Sequence, residues 1–196
     1  MKAIRTDRRI KKIRSVIETR QSSLTVVFEN IHDPHNVSAI LRTCDAAGIP
    51  KVKLLYNIER FPKIGRKSSA SAIKWVEREK YKSVDECYNS LRKEGFRIFA
   101  SQVSVSSKNI YDLDFTGNTA IVLGNENRGI SEEAAKFADE RFIIPMYGMV
   151  QSLNVSVSAA ITIYEALRQR RLKGMYDQSE LSDEQIEKEI NKWSEK

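Results

Sequence analysis

The chain of 196 residues is short of several features that place a protein quickly. No apolar run approaches the roughly 20 residues that a membrane-spanning helix needs. The N-terminus is charged from its second residue and has no apolar core segment, so no signal peptide is predicted. Cysteine occurs only at Cys44 and Cys87. Neither lies in a CxxC or Cys/His metal pattern. Free thiols in a reducing cytoplasm are expected. Histidine is as scarce, at His32 and His35. That HxxH pair has no further Cys, His or carboxylate ligands at a suitable spacing, and no metal is predicted. There is no internal repeat and no low-complexity stretch.

What is abundant is ordinary core-forming material and positive charge. Hydrophobic residues make up 41% and charged residues 30%, the balance of a soluble globular domain with terminal appendages. The formal net charge of +7 is unevenly spread. Residues 1–20 hold eight Lys/Arg against two Asp/Glu, while residues 177–196 hold three Lys against seven Asp/Glu. A basic arm of this kind suits a phosphate backbone, and it equally describes a solvated helix face.

Apolar periodicity and turn residues divide the chain into alternating strands and helices. Thr6 is placed to cap a first helix with Ile10, Ile13, Val16 and Ile17 on one face. Strands are predicted at 24–28, 51–56, 73–76, 96–100, 119–123 and 141–144. Asn36 is expected to cap the helix that Gly48 ends, and Ser83 to open another with Glu86 as its capping-box partner. Ser131–Ala138 reads as a short helix. A long helix ends near Gly174, and Ser182 with Gln185 caps a last one bearing Ile186, Ile190 and Trp193. The stretch Tyr176–Ser182 reads as a hinge. The pattern predicts an α/β domain: a mainly parallel sheet with helices on both faces, plus terminal helical extensions. The expected divisions are a basic extension at 1–20, a core at 21–175 and a C-terminal extension at 176–196.

Three loops sit where α/β sheets gather function, at the carboxyl ends of strands. The first, "ENIHDPHNVSAILRTCDAAG" (29–48), carries Asn36 and Arg42. Read blandly, Asn36 caps and Arg42 pairs with Asp45. The second, "LGNENRGIS" (123–131), sets Glu126 between two amides. Its glycines have P-loop spacing, but Ile130 occupies the place of the required lysine. The third lies in "IPMYGMVQSLNVSVSAA" (144–160). There Leu153–Ser158 alternates like a strand, although helical spacing follows. Gln151, Ser152 and Asn154 are candidate caps. The stretch 57–71 is loop-like and basic, with Arg60, Lys63, Arg66 and Lys67.

Taken together, these three segments resemble the ordered motifs of the SPOUT RNA methyltransferases, and within them the TrmH branch of tRNA (guanosine-2′-O)-methyltransferases. The likeness covers about nine-tenths of the chain. It implies a C-terminal deep trefoil knot and a homodimer with the active site at the subunit interface. It also implies S-adenosylmethionine as cofactor and, as substrate, the ribose of a tRNA D-loop guanosine at position 18. Carried over by position, Asn36, Arg42, Glu126, Ser152 and Asn154 form the reactive group. Leu123, Gly124, Ile144, Met146, Ser152 and Leu153 line the cofactor pocket. Arg8, Arg9, Lys11, Lys12 and Arg14, with Arg66 of the basic loop, hold the RNA. "SSASA" (68–72) departs from the glycines of many relatives. The alternatives are a ribosomal RNA or another tRNA ribose as substrate, or a non-catalytic RNA-binding protein of the same fold.

The resemblance leaves one chemical question open. It implies that Arg42 is the base that activates the hydroxyl. An arginine side chain holds its proton so tightly that neutrality near pH 8 costs roughly 8 kcal/mol. The other role is cationic, gripping a phosphate and steadying the nascent alkoxide while another group or water takes the proton.

Overall fold

The computed structural model describes residues 6–64 and 72–195. Among these, seven strands form one sheet: β1 (Leu24–Glu29), β2 (Lys51–Leu55), β3 (Glu77–Tyr81), β4 (Arg97–Ser101), β5 (Lys108–Asn109), β6 (Thr119–Leu123) and β7 (Glu140–Ile143). Their order is β3-β2-β1-β6-β4-β7-β5, and every pairing is parallel. The helices are α1 (Asp7–Glu18), α2 (Pro34–Ala46), α3 (Ala72–Trp75), α4 (Val84–Lys93), α5 (Glu132–Phe137), α6 (Val155–Leu172) and α7 (Asp183–Ser194).

Strand β1 shows how the sheet is covered. All six of its residues are buried, as a central parallel strand requires. Leu24, Val26 and Phe28 face one layer with Val37, Ile40 and Leu41 of α2 and Ala159, Ile163 and Ala166 of α6. Val27 faces the other layer, with Tyr88 and Leu91 of α4 and Ala134 of α5. Helices therefore lie on both faces, as predicted.

Two expectations fail around β3 and the start of α4. The stretch 73–76 is not a strand; Ala72–Trp75 is a short helix, and the strand is the next segment, Glu77–Tyr81. That strand hides in the sequence because it is an edge, where charge discourages pairing with another chain. Its Glu79 instead meets Lys53 of β2, a buried lysine that also reaches Glu94. The capping box at Ser83 is half formed. Ser83 accepts from Glu86 N, but the Glu86 carboxylate accepts from Lys82 N. The box at Ser182 and Gln185 is complete.

The two termini form one unit. Ile13 and Ile17 of α1 pack with Ile186, Ile190 and Trp193 of α7. Arg14 pairs with Glu187, and the Arg20 guanidinium lies 4.9 Å from the Trp193 ring centroid. The stretch expected to be a hinge is tied down. Tyr176 donates to Ala47 O at 2.8 Å, and Glu180 accepts from Ser22 Oγ at 2.6 Å and Ser23 N at 3.0 Å.

Behind Glu180, Arg170 of α6 is fully buried. Its Nε donates to Phe115 O at 2.9 Å, Nη1 to Ser23 Oγ at 2.7 Å, and Nη2 to Ser23 O at 3.0 Å and Gly117 O at 2.6 Å. One side chain thus joins α6, the entry to β1 and the 102–118 connection.

Candidate active site

The carboxyl ends of β1 and β6 meet the start of α6, and the three loops singled out above converge there. Helix α2 begins earlier than its sequence suggested. Asp33, not Asn36, is the N-cap: its Oδ1 accepts from His35 N at 2.8 Å, with Pro34 at the first helical position. Asn36 is therefore free of capping and lies buried in the first turn.

Its side chain serves two neighbours. Nδ2 donates to Glu126 Oε1 at 3.0 Å, and Oδ1 accepts from Asn154 Nδ2 at 3.1 Å. Glu126 also accepts from His32 N at 3.0 Å and Asp33 N at 3.1 Å. Burial alone pushes the Glu126 carboxyl up, but the bonds from Asn36 and the two backbone N–H groups outweigh it. The group is held below the usual carboxylate range, as an anion. Asn154 is the N-cap of α6, accepting on Oδ1 from Ser156 N at 2.8 Å. The strand-like alternation that begins at Leu153 is not a strand; it spans a non-helical entry and the first turn of α6.

The second loop is built by contact between backbones. Asn125 and Gly129 exchange N–H···O bonds of 2.9 and 2.8 Å, and Gly129 has φ +69°. A Cβ on Gly124 would stand 2.2 Å from the Gly129 carbonyl carbon, so only glycine fits.

These loops border a cleft of about 640 Å³. Leu123, Gly124, Ile144, Met146, Ser152 and Leu153 all line it, as do Glu126 and Asn154. Glu126, Asn36 and Asn154 are brought together. Arg42 is not part of this group. It stands six residues beyond Asn36, about 9 Å along α2 and a third of a turn around it. It is exposed and does not line the cleft. Its expected bland partner is engaged elsewhere, because Asp45 pairs with Arg20 at 2.7 Å. His35, also exposed, precedes Arg42 by seven residues and so lies on the same face of α2.

Of the expected RNA contacts, Arg8, Lys11 and Lys12 are exposed and Arg9 is half-buried. Arg14 is occupied by Glu18 and Glu187. Arg66 and most of 68–72 lie outside the described residues. Among the described residues, no group of three or more His, Cys, Asp or Glu side chains is placed to hold a metal. None of the helices there is long and apolar enough to cross a membrane.

Sequence reasoning missed two asparagines. Asn30 has φ +53°, and its Oδ1 accepts from Ile58 N and Glu59 N at 3.1 and 3.0 Å. Asn125 donates to Asn30 O at 2.8 Å and accepts from Arg128 N at 3.2 Å. Their signal was the readiness of asparagine to occupy left-handed and turn positions.

The model of the SpoU rRNA Methylase family matches residues 23–164. The tRNA (guanosine(18)-2′-O)-methyltransferase of Aquifex aeolicus is 42% identical over 188 residues, spanning 96% of this chain and 89% of that one. The enzyme of the same name from Thermus thermophilus is 41% identical, spanning 96% and 97%. The crystal structure of the A. aeolicus TrmH/SpoU tRNA modifying enzyme superposes with a TM-score of 0.90 and 41% identity, over 96% of this chain and 95% of that one.

Proposed function

The chain belongs to the SpoU rRNA Methylase family, and from that premise we propose that it transfers a methyl group from S-adenosylmethionine to the 2′-hydroxyl of guanosine 18 in tRNA. The observation that carries this reading is the joining, through the buried Asn36, of Glu126 and Asn154, which line a single cleft; the three come one from each loop. The two relatives cited, each spanning nearly all of this chain, bear that activity in their names.

The cleft suits the cofactor chemically. Leu123, Ile144, Met146 and Leu153 give apolar walls for a purine, and the close-packed Gly124 turn brings backbone polar groups to its edge. When bound there, S-adenosylmethionine supplies an electrophilic methyl on a sulfonium. Glu126, held anionic, orients the Asn36 amide. Asn36 and Asn154 position the incoming ribose, and Ser152 flanks it. Arg42 acts as a cation that grips the adjacent phosphate and stabilises the developing alkoxide, while water takes the hydroxyl proton.

Arg42 reaches the reacting atoms from the second subunit of a homodimer. This is supported by its exposure away from the cleft within one chain. Exposed Tyr147, Met149 and Val150 beside the cleft, and Val157 and Tyr164 on α6, support an apolar face for that contact. The C-terminal segment forms a deep trefoil knot. The hold of Gln169 and Arg170 on Leu113, Phe115 and Gly117 of the 102–118 connection supports it. Arg8, Lys11 and Lys12 on α1, braced by the acidic α7, track the tRNA backbone.

The test incubates purified protein with S-adenosylmethionine and unmodified tRNA and maps modified nucleosides by nuclease digestion and mass spectrometry. 2′-O-Methylguanosine at position 18 is expected. Cofactor binding with no 2′-O-methylguanosine overturns the assignment.

A further inference from the structure

We propose that Arg128 is a phosphate-binding residue for the RNA substrate, masked in the free protein by the carboxylate of Glu59. The inference rests on the RNA-substrate reading above and names a subsite within it.

Arg128 is the one cation among the described residues that line the cleft, and it stands two residues from Glu126. Its Nη2 donates to Glu59 Oε1 at 2.8 Å. The other carboxylate oxygen of Glu59 lies 3.6 Å from His32 Nδ1. Two nitrogen-bearing side chains from different loops thus converge on one oxyanion beside the reactive group. A phosphate presents the same kind of oxygens, and guanidinium matches it bidentately.

The backbone holds this arrangement ready. Asn125 fixes the Arg128 N–H, Asn30 fixes the Glu59 N–H, and Asn125 Nδ2 donates to Asn30 O. Arg128 and Glu59 face one another because two bonded asparagines set them there. The pair itself is weakly held, since the guanidinium side chain is about half exposed, and exposed pairs contribute little. Glu59 can therefore yield to an anion of higher charge density. With Glu126 and Glu59 both acidic there, an approaching RNA strand meets repulsion unless Arg128 changes partner.

The test measures the affinity of unmodified tRNA between about 50 and 200 mM salt, for the full chain and for Arg128→Gln, Glu59→Gln and the double variant. Arg128→Gln is expected to weaken binding about five-fold at the lowest salt and to reduce the salt slope by about one. Glu59→Gln is expected to tighten binding about two-fold, and the gain should vanish in the double variant. An unchanged slope in Arg128→Gln overturns the proposal, as does a Glu59→Gln gain that survives without Arg128. So does an unchanged tRNA slope with weakened S-adenosylhomocysteine binding, which would assign Arg128 to the cofactor carboxylate. Failure of the unaltered chain to bind tRNA would instead strike the RNA-substrate reading itself.

Discussion

Asn154 donates its amide to Asn36 at 3.1 Å while its carbonyl oxygen accepts from the first turn of α6 at 2.8 Å. One residue is both the cap of a helix and the link between two loops of the site. The roles use different ends of the amide, so they separate by substitution. Asn154→Asp keeps a capping oxygen and loses the donor to Asn36. It is expected to leave thermal stability nearly unchanged and to lower turnover about ten-fold or more, a barrier change of ~1.4 kcal/mol. Asn154→Ala loses both and should also cost about 1 kcal/mol of stability. Melting curves beside turnover rates check the pair.

Arg42 is exposed and stands away from the cleft of its own chain, so Arg42→Ala should change stability by no more than about 0.5 kcal/mol. Turnover should fall about a hundredfold or more, roughly 2.7 kcal/mol, with cofactor affinity retained. If the arginine acts across a subunit interface, mixed dimers of Arg42→Ala and Glu126→Gln chains regain activity, because one of their two sites is intact. No recovery in mixed dimers would return Arg42 to its own chain's site.

Glu29 is almost fully buried; Oε2 accepts from Ser131 N at 3.1 Å and Oε1 has no partner among the described residues. Burial raises this carboxyl above its ordinary value, against the bonds from Ser131. The folded state then holds the proton more tightly than the unfolded chain. Its ionisation costs stability as pH rises from the unfolded value, about 4.3, through the raised folded one. Glu29→Gln should therefore raise the melting temperature at pH 7 and change it little near pH 4. A gain of equal size at both values would exclude ionisation as the cause.

Arg170 illustrates what was hidden in the sequence. "RQRR" reads as a basic helix end, yet Arg170 is sealed inside and donates to three backbone carbonyls, while its neighbour Arg171 is exposed. Arg170→Met should destabilise by about 3 kcal/mol or more by orphaning those acceptors. Urea unfolding measures it, and a loss below about 1 kcal/mol would deny the clamp its role.

The same contrast runs through the fold and the site. Central strands such as Thr119–Leu123 were legible because continuous burial demands continuous apolar residues. The edge strand Glu77–Tyr81 was not, because its charges answer to Lys53 on a neighbouring strand. Asn36 was legible as a polar residue at a helix start, but its role was not. Asp33 took the cap, and Asn36 turned to partners 90 and 118 residues away. Local pattern carries no record of such pairings; the family resemblance grouped these residues, and the folded chain supplies their bonds. The distance of Arg42 from that group does follow from its six-residue spacing along α2, but the capture of its nearby carboxylate, Asp45, by Arg20 does not.

The central claim is that the acceptor is a ribose hydroxyl at one tRNA guanosine. Two otherwise identical tRNAs, one with guanosine and one with 2′-deoxyguanosine at position 18, test it with labelled S-adenosylmethionine. The account expects up to one methyl per molecule on the first and none on the second. Equal labelling of both would contradict it, since the methyl would then reside on an atom other than the 2′-oxygen of that residue.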